Sequence, residues 1–240
     1  MTSLARLTFV SLAALAALPA PAQEIIVTRK DARARPGYPP PEPRPAVVLR
    51  RRADNVVQGL LLTDDTRLAE ARLEELRHAL AALDEAAQKS RDVRVALVAE
   101  TADGVALVRP FDRQRALAAI ENGARPDSAQ VRILVKTAIV EGDRDLSQPV
   151  ARIDAFLRGL TLAGRAQIEP IEEPALSLVR PEQYRGAVIG AIAADLKAVV
   201  EQLGAGYGGR LEGLERPIEW AQLDELELGL YLPYRLTVTR

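Results

Sequence analysis

From Arg180 to Leu203 the chain reads RPEQYRGAVIGAIAADLKAVVEQL, a long amphipathic stretch with the spacing of a helix. Pro181 belongs in a helix's first turn, where its missing N–H leaves no bond unmade. Glu182 beside it favours the positive end of the helix dipole. Val188, Ile189, Ile192, Leu196, Val199, Val200 and Leu203 recur every three or four residues, which gathers them on one face. Arg185, Asp195, Lys197 and Glu201 fall mainly elsewhere on the wheel. Gly204 ends the pattern, since glycine takes the left-handed conformation common at helix exits. Ordering such a segment is unfavourable unless its apolar face is covered. The helix therefore requires a sheet or a second helix beneath it.

The first 22 residues define a compartment. Met1 to Ala22 holds one charge, Arg6, then an apolar run from Leu7 to Leu18, then Ala20-Pro21-Ala22. These are the parts of a secretory signal peptide cleaved after Ala22. The apolar run is too short to cross a bilayer, so no transmembrane span is expected after cleavage. The expected location is the periplasm, with outer-membrane association as an extension of it. The chain has no cysteine, so an exported fold cannot lean on disulfides or thiolate metal sites. With 32 basic and 33 acidic residues the net charge is −1, which offers no global field for nucleic acid.

Glu24-Ile25-Ile26-Val27-Thr28-Arg29-Lys30 follows the leader. It resembles the TonB box of TonB-dependent outer-membrane receptors, a segment that pairs as an added strand with its energy-transducing partner. The β-branched side chains at Ile25, Ile26, Val27 and Thr28 suit that pairing. Glu24, Ile25, Ile26, Val27 and Thr28 are accordingly the candidate partner-binding residues. The plainer alternative is an extended tail left by leader cleavage, and it is preferred because the chain is too short for a plug and a large membrane barrel. From Asp31 to Pro45 six prolines fall within ten residues, a composition for an extended, solvated linker. The division expected is thus a signal peptide at 1–22, a proline-rich tail at 23–45 and one domain at 46–240.

Within that domain, Ala46–Leu49 and Asn55–Leu62 read as a long first strand bent at Arg50-Arg51-Arg52. The three arginines fit a charge-guarded strand edge better than a nucleic-acid patch. Helix one is expected from Arg67 to Gln88, with its stripe at Ala69, Leu73, Leu76, Leu80, Leu83 and Ala87 and its caps among Thr63 to Thr66. Val93–Ala99 and Gly104–Val108 form a hairpin around Asp103-Gly104. A short helix at Arg115–Glu121, a strand at Val131–Val140, a helix at Leu146–Leu160 and an extended region at Ala166–Val179 come next. Arg210–Ile218 and Leu226–Thr239 read as two closing strands. The order predicts an α+β fold, an antiparallel sheet with two long helices packed on it, preceded by a disordered tail.

Ala53-Asp54-Asn55-Val56-Val57, Val131 to Thr137, Tyr184 to Gly204 and Arg210-Leu211-Glu212-Gly213-Leu214 together make the domain resemble the SIMPL family of bacterial periplasmic and outer-membrane-associated proteins. The resemblance covers Ala46 to Arg240 and rests on apolar spacing. It implies a SIMPL-like fold and a non-enzymatic envelope role, with assembly into rings in some relatives, and it carries no active site. The proline-rich tail and the TonB-box-like segment depart from the family pattern.

No catalytic, cofactor or metal set is expected. His78, the only histidine, has no nucleophile motif beside it. Glu141-Gly142-Asp143-Arg144-Asp145 has carboxylates for a hard cation but lacks an EF-hand's spacing, so it reads as a turn and cap. Gly204 to Gly209 follows a helix, whereas phosphate loops precede one. Leu226, Leu228, Leu230 and Leu232 alternate with Glu227, Gly229 and Tyr231 along a C-terminal strand, near Trp220 and Tyr234. That edge is the expected surface for self-association. The proline-rich tail should show no strong amide protection between Asp31 and Pro45 in hydrogen exchange of the mature chain; strong protection there would sink the linker assignment.

Overall fold

The computed structural model describes residues 23–27, 45–100 and 106–240, with the side chains of Val27, Glu100 and Ala106 excepted. The expected leader, the segment from Thr28 to Arg44 and the expected turn at Asp103-Gly104 lie outside the described residues.

In chain order the first element is β1 (Glu24–Val27), at the start of the expected tail. β3 (Asn55–Asp64) matches the second half of the expected bent strand, whereas β2 (Leu49–Arg52) runs through the arginines where the bend was expected and moves the break to Ala53 and Asp54. The bend is sharper than expected, because Ala53 and Asp54 hand the chain from one sheet to another. The Ala53 N–H bonds to Leu226 O at 2.9 Å and the Asp54 N–H to Ser177 O at 3.0 Å. α1 (Ala69–Lys89) leads to β4 (Val93–Glu100) and β5 (Ala106–Pro110), an antiparallel pair in register Val98↔Val108. α2 (Arg113–Ala118) is capped by the Asp112 carboxylate, which accepts from the Arg115 N–H at 3.1 Å. β6 (Glu121–Asn122), β7 (Ala129–Ala138), α3 (Ser147–Arg158), β8 (Gln167–Pro170) and β9 (Ala175–Val179) follow. After a 3₁₀ turn over Pro181–Tyr184 comes α4 (Arg185–Leu203). Four short strands end the chain: β10 (Gly208–Glu212), β11 (Glu219–Gln222), β12 (Glu227–Tyr231) and β13 (Arg235–Thr239).

The ladders run β3–β7–β4–β5–β1–β9 and return to β3, antiparallel at every step. This overturns the expected α+β layer of an antiparallel sheet with two long helices packed on it. Among the described residues the fold is a six-stranded closed antiparallel barrel with four helices, dominated by sheet. The physical reason is β1. Without it β5 and β9 would be two open edges, and Glu24 to Val27, set apart by the proline-rich segment, looked like tail. β6 extends the ring at β7 and β8 extends it at β3.

Alternation along the strands separates inside from outside. Val57, Ala96, Val108, Leu134 and Ala175 pack together with Ile26, one residue from each of the six ring strands. They fill the lumen. Val56, Leu60, Leu62, Val93, Val95, Val131, Ile133, Val135, Leu176 and Leu178 face outward and join the helices in one larger core. α1 contributes Leu76, Ala79, Leu80, Leu83 and Ala87, close to the expected stripe, while Leu73 in its first turns is exposed.

α4 departs further from expectation. Of its seven stripe residues only Val188 and Ile192 are buried, and Leu203 is 47% exposed. Its main strand neighbours are β2 and β10, and its last turns are poorly covered. Gly209 of β10 lies so close that a Cβ there would sit 2.1 Å from Leu196 Cδ1. Gly204 ends the helix at φ +93°, ψ −178°, a glycine-favoured conformation outside the left-handed helical region. The closing strands sort into β10–β13 and β11–β12–β2. β12, expected as an edge, is paired on both sides, and its leucines are core.

Candidate functional site

The lumen carries charge at one level. Glu24 on β1 and Lys136 on β7 both point inward, and in the ring β1 and β7 are three strands apart in either direction. Their side chains meet across the barrel as an ion pair, with Glu24 about as buried as the apolar core at 5% exposure. Two neutral donors complete the carboxylate's shell. Asn55 Nδ2 of β3 donates to Oε1 at 2.8 Å and Ser177 Oγ of β9 at 2.6 Å. A buried carboxylate is tolerated only when its charge and acceptors are met in this way. The four side chains come from four of the six strands and tie them together.

All the candidate partner-binding residues that are described lie in this barrel. Glu24 is in the lumen, Ile25 is fully buried in the outer core, Ile26 joins the lumen cluster, and Val27 pairs with Leu176. Thr28 lies outside the described residues. β1 is laddered on one side to β5 and on the other to β9. Lys136, Asn55 and Ser177 were not singled out from the sequence. The available signal was polar residues set inside apolar strands, ILVKTA and ALSLV, which marks a position without naming its partner.

Asp143, in the acidic turn expected at Glu141 to Asp145, is fully engaged within the chain. Arg152 grips its carboxylate with two bonds of 2.8 and 2.7 Å, and the Val140 N–H donates to it at 2.9 Å. The Arg152 hydrogen bond chiefly holds this carboxyl below its usual range. Its stabilisation is present above the ordinary aspartate range and fades as pH falls through the lowered value. Arg52 closes the same corner by donating to Val140 O at 3.0 Å and to Asp143 O. Part of the arginine cluster thus latches β2 to the β7–α3 loop. Arg51 stacks on the Tyr184 ring at 4.6 Å, and Arg50 pairs with Glu227 at 3.3 Å.

Asp64 and Glu75 form a second acidic pair. Asp64 is buried; Oδ1 accepts from the Thr66 N–H at 2.8 Å, and Oδ2 has no hydrogen-bond partner among the described residues. Burial pushes its carboxyl up. Glu75 goes the other way, lowered by the Arg165 N–H at 2.7 Å and by the Thr66 hydroxyl at 2.9 Å. His78 is exposed and lies 3.5 Å from Glu74. The described residues contain no group of three or more metal-ligating side chains placed to hold an ion, and no helix among them is long and apolar enough to cross a membrane.

Two hollows remain. A cavity of about 230 Å³ opens at one end of the lumen over Ile26, Val57, Val98, Leu134 and Ile171, with Arg132 among its lining residues. A larger cleft of about 460 Å³ lies between the C-terminal sheets, bordered by Glu212, Glu215, Arg216, Glu219, Tyr231 and Tyr234. Burial, aided by the Asp195 charge, raises the Tyr234 phenol there. Its charges are of both signs. No family model, curated protein or solved structure matches the chain.

Lys136→Met strands the Glu24 charge in the lumen and should lower stability by about 3 kcal/mol in urea unfolding, while adding Glu24→Gln should recover most of that loss. Asp64→Asn should stabilise by about 1 kcal/mol at pH 7, because an amide keeps the Thr66 contact and can donate toward Glu75. A raised aspartate binds its proton more tightly folded than unfolded, so the native chain gains stability as pH falls through the raised value toward the unfolded one. The advantage of the variant should therefore shrink between pH 7 and 4 in urea midpoints; an advantage independent of pH would contradict the assignment.

Proposed function

We propose that this chain is an exported protein of the cell envelope with a structural or interaction role, working by strand pairing with other chains. One observation carries the reading. β1 is a four-residue strand, separated from β2 by a proline-rich segment, yet its backbone and side chains complete the barrel. A protein that closes its own sheet with a segment tethered in this way is suited to recognising strands.

A second surface supports the same role. Among the described residues β13 pairs only with β10, which leaves one edge of β13 open, with Val238 exposed. We assign self-association to that edge. The balanced charge makes nucleic acid a poor partner.

The sequence Glu24 to Thr28 favours one alternative, an accessory of a TonB-dependent system that docks through this segment. In the barrel both edges of β1 are taken, so docking would require β1 to leave the ring.

Sedimentation of the mature chain over a wide concentration range tests the main reading. Mass should rise with concentration, and Val238→Pro, which removes a ladder donor, should suppress the rise. A constant monomeric mass would refute self-association. Titration with the TonB periplasmic domain tests the alternative, which requires binding that disappears when residues 23–28 are deleted.

A further inference from the structure

We propose that β1 is exchangeable between copies: the groove between β5 and β9 is a strand-binding site that residues 23–27 of a second chain can fill, so that two chains close each other's barrels. This rests on the self-association read above but moves the contact from the β13 edge to the lumen.

The groove recognises its occupant through few, specific groups. It offers ladders on both sides, a buried outer site for Ile25, and Lys136, Asn55 and Ser177 converging on one carboxylate. None of these belongs to β1's own neighbourhood, for the partners of Glu24 are 31, 112 and 153 residues away. Any chain presenting an acidic residue followed by β-branched residues in the same register satisfies it, and a second copy presents that sequence by identity. An empty groove would leave Lys136 without its counter-ion and two strand edges unpaired, so the site must be filled from somewhere.

The connection permits either source. Seventeen residues, Thr28 to Arg44, link β1 to the rest of the described chain. Fully extended they reach about 55 Å, whereas a six-stranded ring spaced at about 4.8 Å is only about 10 Å across. Such a tether reaches its own groove or a neighbour's. It carries prolines at 36, 39, 40, 41 and 43.

Charge reversal provides the test. Glu24→Lys alone places two cations in one lumen, and Lys136→Glu alone places two anions there. Each should unfold at lower urea than the native chain, and the double variant should recover in cis. When the two single variants are mixed, exchange pairs opposite charges in both barrels. The expected result is a 1:1 heterodimer in native mass spectrometry, with the urea midpoint restored toward that of the double variant. Recovery of the double variant with no heterodimer in the mixture overturns the proposal while leaving the lumen pair intact. If the double variant fails to fold, deletion of residues 29–43 decides, because the two residues left between Val27 and Pro45 reach only about 10 Å, no more than the width of the ring. A shortened tether should shift the chain from monomer toward dimer, and a chain that stays monomeric overturns the proposal. Val238→Pro carried in each background separates the surfaces, because exchange survives it and edge association does not.

Discussion

The ion pair across the lumen is the constraint on which the barrel depends. Six strands leave an interior wide enough for one layer of small side chains, and Val57, Ala96, Val108, Leu134, Ala175 and Ile26 supply it. At the level of Glu24 that layer gives way to a carboxylate held by Lys136, Asn55 and Ser177. A wholly apolar lumen would hold β1 by packing alone. The charged level adds a requirement that only one segment of the chain, in one position, satisfies.

The helices answer to the outside of the same ring. α1 and α3 pack on the wall made by β3, β7 and β4, and their buried residues merge with the outward residues of the strands. The second group of sheets joins this body through the same core, in which Leu226, Leu228, Leu230 and Leu232 pack, and Asp54 pins the chain between β2 and β3, its carboxylate accepting from the Val179 N–H at 2.7 Å while its backbone bonds to Ser177 and Ile139. Asp143, Arg152 and Arg52 fix the neighbouring loop. Polar residues at the junctions thus fix a connection that the continuous core also spans, and α4 keeps only Val188 and Ile192 of its stripe buried in that core.

Local pattern made most elements legible. The α1 stripe, the β4–β5 hairpin, the β7 strand and the Pro181 entry to α4 all follow from spacing and end signals read within a few residues. Closure was illegible for a physical reason. β1 is four residues long, its neighbours β5 and β9 lie far along the chain, and a run such as EIIV fits an edge, a tail or a barrel strand equally well. The burial of α4 was overestimated for the same reason, since periodicity shows which face is apolar and not how much surface awaits it. Lys136 read as one polar residue in an apolar strand, and its meaning lay 112 residues away. The fate of Asp143 likewise depended on Arg152, a helix residue whose approach no motif announces.

Register explains why a charge stands at this point rather than another leucine. Alternate side chains of a strand face opposite ways, so a slip of one residue turns every side chain of β1 over. When Glu24 takes the place of Ile25 it enters the outer core among Leu107 and Leu178 with no cation, and Gln23 comes to the Lys136 level, leaving both charges unmatched. A slip of two would carry Ile26 to the Lys136 level and leave the ammonium without a carboxylate. For a strand of four residues the ladder alone discriminates weakly among these placements, because each keeps some backbone bonds. The cost of an unpaired buried charge, several kcal/mol, is large against a net hydrogen bond of about 1 kcal/mol. The ion pair therefore sets which residue of the strand sits where, while Ile25 and the ladders provide the attraction. Position is what a tethered strand lacks, since no short turn delivers it to its neighbours in a fixed alignment.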